Sequence, residues 1–107
     1  PGLENIPILT SSYPEYKKYL PWGPFYGAFV KRDVPEEAKK KLVEAFQKGT
    51  KEVKFQDFLK DFGVVYMGIY GDEADKFLKH WQSVTTWLLQ DAGATKVSPD
   101  KFGIPKP

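Results

Sequence analysis

The segment PWGPFYGAFV at residues 21–30 decides how this chain is read. It is the most apolar run in the sequence. Drawn as a strand, it sends Phe25, Gly27 and Phe29 to one face and Tyr26, Ala28 and Val30 to the other. Both faces are apolar, the pattern of a strand covered on both sides within an α/β sheet. Gly27 and Ala28 leave room in mid-strand for a helix or another backbone to come close.

The rest of the chain reads as elements packed around that strand. A polar break, Lys31-Arg32-Asp33-Val34-Pro35, leads into a helix predicted over residues 35–48, with Pro35, Glu36 and Glu37 suited to its first turn. Ala38, Leu42, Ala45 and Phe46 form its expected buried stripe, and Lys39, Lys40 and Lys41, surrounded by glutamates, a solvated face. A second helix is predicted over 51–62, where Phe55, Phe58, Leu59 and Phe62 fall at i, i+3, i+4 and i+7 and read as core. Gly49 and Gly63 stand where these helices stop.

VVYMGI at 64–69 then reads as a second apolar strand, joined to the first by a right-handed crossover. The longest helix is predicted over 72–91, opened by Asp72, Glu73 and Asp75 and closed by Gly93. Ala74, Phe77, Leu78, Trp81, Val84, Leu88 and Leu89 make its apolar stripe. Trp87 lies off that stripe and is expected to touch a second element or a partner.

Residues 1–20 read as an irregular segment, with Tyr13, Tyr16 and Tyr19 on a docked amphipathic turn rather than a binding ledge. The expectation is therefore an α/β fold, with residues 21–107 a single unit of two strands and three main helices. Two strands alone leave two open edges. Their apolar faces imply a sheet completed by a missing segment, or by another copy of the chain through strand exchange.

Bulk composition narrows the function. A length of 107 residues holds at most one ordinary domain. With 16 basic against 14 acidic residues the net charge is +2, which argues against a nucleic-acid partner, since phosphate binding needs a concentrated basic face. The chain starts at Pro1 rather than Met and has no signal peptide, so it reads as a processed or truncated piece.

With no cysteine there is no thiol chemistry, thiolate metal site or disulfide. The one histidine, His80, has Lys76, Phe77, Ser83 and Val84 three and four residues away, which supply neither a second metal ligand nor a nucleophile–base pair. It reads as a surface histidine. No phosphate-cradling or nucleophile-elbow pattern occurs. An enzyme is the weaker class, and no catalytic residue, metal ligand or cofactor is expected.

The order of these pieces resembles the carboxy-terminal part of the solute receptors of the tripartite tricarboxylate transporters. The resemblance is carried by the YPEY turn before WGPFYGAFV, Pro35-Glu36-Glu37 opening a helix, Leu59 to Gly63, Val64 to Gly68, Glu73-Ala74-Asp75, Trp81 with Val84, and the ending GATKVSPDKFGIPKP. It spans nearly the whole chain. It implies a fragment of a two-lobed α/β periplasmic binding protein that closes on an organic carboxylate and hands it to membrane permease subunits, without cofactor or chemistry. By that resemblance Trp22, Gly23, Phe25 and Tyr26 stand nearest the ligand cleft. The alternative is a stand-alone, oligomerising protein-interaction module with no small-molecule ligand.

Overall fold

The computed structural model describes residues 5–107. It is all-helical: 57% of the described residues are in helices and none is in a strand. The elements are α1 (Leu9–Ser12), a 3-10 helix (Pro14–Tyr19), α2 (Glu36–Gly49), α3 (Val53–Phe62), α4 (Gly71–Asp91) and a second 3-10 helix (Pro99–Phe102). The expected α/β fold is thereby overturned. Both predicted strands, 25–30 and 64–69, are extended or irregular backbone without a ladder partner among the described residues.

The local chemistry explains why. Pro21 and Pro24 have no N–H for a ladder, and Gly23 and Gly27 weaken the extended state in the same ten residues. In the second segment Gly68 sits at φ 66°, in the left-handed region, so the chain turns there instead of running on as a strand. Nor are the side chains sandwiched. Tyr26 is 79% exposed, Phe29 68% and Val65 89%. Double-sided apolarity marked exposed backbone with no ladder among the described residues, not the interior of a sheet.

The three main helices lie within a residue or two of their predicted bounds. Gly63 ends α3 at φ 72°, with its own N–H on the Lys60 carbonyl and the Val64 N–H on that of Leu59. Gly49 belongs to α2 itself, and the C-cap is Thr50.

By internal contacts the chain divides into two units. One joins the described residues up to Pro24 with Lys76–Pro107; the other is Phe25–Asp75. In the second unit the buried centre is polar. Thr50 is the one buried residue of this unit. Its hydroxyl donates to the Phe46 carbonyl at 2.7 Å and meets the Tyr66 hydroxyl at 2.6 Å. A threonine has one hydroxyl proton, so with that proton on Phe46 the Tyr66 hydroxyl is the donor to Thr50. The Gln56 amide donates to the Thr50 carbonyl, and the Phe46 and Tyr66 rings lie 6.4 Å apart. The Thr50 knot thus joins the end of α2 to the start of α3 and to the segment after it.

The faces predicted as core on α2 and α3 are only partly covered. On α2, Ala38 and Phe46 are half-buried, while Leu42 is 51% exposed. Lys39 and Lys41 pair with Glu36 and Glu37 at 2.8 and 2.9 Å on a solvated surface. On α3, Leu59 is half-buried, but Phe55, Phe58 and Phe62 are exposed.

The first unit is organised around the last four turns of α4. Val84 is fully buried, its chain neighbour Ser83 is buried, and so is Pro99 in the second 3-10 helix. Phe77, Leu78, Trp81 and Leu88 are half-buried, as a stripe at helical spacing requires. Near the amino terminus α1 stops before Pro14. The Tyr13 and Tyr16 rings then meet edge-on at 6.0 Å and those of Tyr16 and Tyr19 lie tilted at 6.2 Å, with the Lys18 ammonium 4.8 Å from the Tyr19 ring centroid.

Candidate functional site

All three tryptophans of the chain fall in the first unit, and each donates its indole N–H to a residue distant in sequence. Trp22 donates to the Thr85 hydroxyl at 2.9 Å, and Trp81 to the Gly23 carbonyl at 2.9 Å. These bonds run in opposite senses between residues 22–23 and one side of α4, since Trp81 and Thr85 are one turn apart. A second pair fixes the other terminus. Ser83 donates to the Pro105 carbonyl at 2.6 Å, and Trp87 to the Ile104 carbonyl at 3.0 Å. At about 100° per residue, Ser83 and Trp87 face nearly away from Trp81 and Thr85. Two extended segments therefore flank α4 on opposite sides, with Val84 buried in the same turn.

This resolves the position of Trp87. Its place off the apolar stripe serves the carboxy-terminal segment, and Lys106 reinforces the contact. The Lys106 ammonium lies 5.2 Å from the Trp87 ring centroid and 3.4 Å from the Asp91 carboxylate. His80 is not the plain surface histidine expected. Its Nε2 is buried and has no hydrogen-bond partner among the described residues.

The four residues placed nearest a ligand cleft are divided by the fold. Trp22 and Gly23 belong to the first unit; Phe25 and Tyr26 belong to the second. Trp22 is 51% exposed, so one side of its indole remains open while its N–H is engaged. In the second unit Phe25 lies 6.4 Å from Phe29, and Tyr26 packs edge-on to Phe62 at 6.3 Å. Tyr26 thereby joins an aromatic row on α3. Phe58 and Phe62 stack at 5.5 Å, and Phe55 follows at 6.4 Å.

Sequence reasoning did not find a cleft of 460 Å³ in the first unit, lined by Lys79, Gln82, Phe102, Gly103, Ile104 and Pro105. Its walls are apolar apart from the Lys79 ammonium and the Gln82 amide. No sequence motif marks it, because it exists only once residues 102–105 are drawn against α4. Nearby, the Ser98 hydroxyl beside Asp100, helped by the Lys101 amide, holds the Asp100 carboxyl below its usual range.

Among the described residues no group of three or more His, Asp or Glu side chains is placed to hold a metal ion. No helix among them is long and apolar enough to cross a membrane. Comparison of the chain with protein-family models, with curated proteins and with solved structures found no match.

Proposed function

We propose that the chain is part of an extracytoplasmic solute receptor that captures an organic carboxylate for a membrane permease, in the manner of the tripartite tricarboxylate transporters. The support is the order and spacing of the sequence pieces from YPEY to GIPKP. The observation that carries it furthest is the anchoring of Trp22 and Gly23 to α4 through Thr85 and Trp81. An indole held by its N–H, with half its surface open, is a rigid platform for a small solute, and rigidity lowers the entropic cost of binding. The role assigned to these residues is binding, not chemistry.

The test is titration of the protein with succinate and citrate, followed by tryptophan emission, with sulfate as a control for simple charge screening. A saturable change, lost in Trp22→Leu and absent with sulfate, is the expected result. No saturable response to either carboxylate, in this chain or in a longer polypeptide that carries it, overturns the proposal.

A second reading, an oligomerising protein-interaction module, is favoured by one observation. The aromatic row on α3 is exposed although its spacing is that of a packed face.

A further inference from the structure

Four aromatic side chains form one exposed surface in the second unit. Phe55, Phe58 and Phe62 are 37%, 55% and 59% exposed, and Tyr26, which touches Phe62, is 79% exposed. A large aromatic side chain carries about 150–250 Å² of surface, so roughly 450 Å² of ring surface faces outward on this one patch. Contiguous apolar surface of that size is as large as the largest patch on most monomers, and such patches are often functional.

The charges beside the row say what covers it. Taking α3 at about 100° per residue, Phe55, Phe58, Leu59 and Phe62 share a seam. One edge of the seam is lined by Lys54 and Asp61. They are seven residues apart, hence on the same side of the helix and about 10 Å apart along its axis. Both are exposed, and neither forms an ion pair with another described residue. The other edge carries Gln56, whose amide is already bonded to the Thr50 carbonyl.

If two copies of α3 lay parallel along this seam, the Lys54–Asp61 edge of each would meet the Gln56 edge of the other, and no charge pair would form. If they lay antiparallel, each Lys54 would meet the other copy's Asp61, giving two symmetric ion pairs. In that arrangement Phe58 would lie near the two-fold axis, and Phe55 would face the region of Leu59 and Phe62. The charge pattern is self-complementary in the antiparallel orientation and has no partner in the parallel one.

We propose that α3 is the interface of an antiparallel, two-fold homodimer, sealed by the Phe55–Phe58–Phe62 row and Tyr26 and registered by reciprocal Lys54–Asp61 pairs. The occupant of the aromatic surface is a second copy of this chain. Two such patches bury about 900 Å² of aromatic surface, and the Lys54 and Asp61 rim takes the total past the roughly 1,000 Å² expected of a specific interface. An interface at the small end of the range gives a reversible dimer, with Kd about micromolar to tens of micromolar. The inference deepens the second functional reading and is independent of carboxylate capture; failure to dimerise leaves the titration result standing.

Sedimentation velocity across about 5–500 μM protein tests it at the concentrations such a Kd requires. The wild-type chain is expected to shift from monomer to dimer. Lys54→Asp alone and Asp61→Lys alone each turn both pairs repulsive and weaken the dimer by about tenfold. Mixing the two variants restores association, because one chain then presents only acidic and the other only basic rim residues. Phe58→Ala weakens the dimer by about a hundredfold. All these positions are exposed, and far-UV circular dichroism verifies that each variant keeps its helices.

A chain that stays monomeric through the whole range overturns the proposal. So does a dimer indifferent to Phe58→Ala. A mixture of the charge variants that associates no better than either alone overturns the antiparallel register, and with it the interface described.

Discussion

Replacing Val84 by alanine tests most directly whether the first unit has the centre described for it. Val84 is the one fully buried apolar side chain among the described residues. Two methyl groups are lost, worth about 0.8 kcal/mol per buried carbon, and the unfilled space adds to this, for a total of about 2 kcal/mol. Leu42→Ala is the matched comparison. Leu42 loses more atoms, but it is 51% exposed, so its truncation costs only about 1 kcal/mol or less. The tryptophans permit the measurement. Trp22, Trp81 and Trp87 all lie in the first unit, so emission excited at the red edge of the indole band reports that unit's unfolding in urea. With a slope of about 1 kcal/mol per molar urea, Val84→Ala lowers the midpoint by roughly 2 M. Leu42→Ala, followed by circular dichroism, shifts its transition by half of that or less. Should Val84→Ala cost no more than Leu42→Ala, the packing assigned to α4 is wrong.

Two further outcomes are expected. Thr50→Val and Tyr66→Phe disrupt the same part-buried hydroxyl pair, so a double-mutant cycle on urea stability should give a coupling of about 1 kcal/mol; additivity within about 0.3 kcal/mol would show that the Thr50 knot does not hold the segment after α3. The Asp100 carboxyl, held down by Ser98, should titrate by carbon-13 NMR below the ordinary carboxylate range and move upward in Ser98→Ala, and an unmoved midpoint would sever that link. The sign follows from the direction of the shift. A carboxyl lowered in the folded chain stabilises the fold above its unfolded value, and this contribution disappears as pH falls through the folded one.

The helices were legible because their signals are local. Pro35-Glu36-Glu37 marks a start and Gly63 a stop with no reference to the rest of the chain. Most of the α4 stripe was legible too: Val84 at its centre is buried, though Leu89 at its end is 46% exposed. The strands were not, because a strand is defined by its partner. The alternation in residues 25–30 says which side chains share a face; it does not supply a ladder. Phe55, Phe58 and Phe62 have the spacing of a core face, yet spacing cannot distinguish a face that is covered from one that is open. The positions of Trp22 and Trp87 were half-legible. An indole off the main stripe implies a second contact, but Thr85 and the Ile104 carbonyl are 63 and 17 residues away, with no sequence pattern to name them.

The unit that holds the tryptophans is discontinuous in sequence, interrupted by Phe25–Asp75. Bringing the ends of a loop of about 50 residues together costs about 3.5 kcal/mol of chain entropy, a cost that the uninterrupted stretch does not bear. The order of assembly is set accordingly. Residues 25–75 can acquire their helices as soon as they leave the ribosome, whereas α4 acquires its final neighbours only after Ile104 and Pro105 emerge to accept from Trp87 and Ser83. Loss of the last four residues would then do more harm than their exposure suggests.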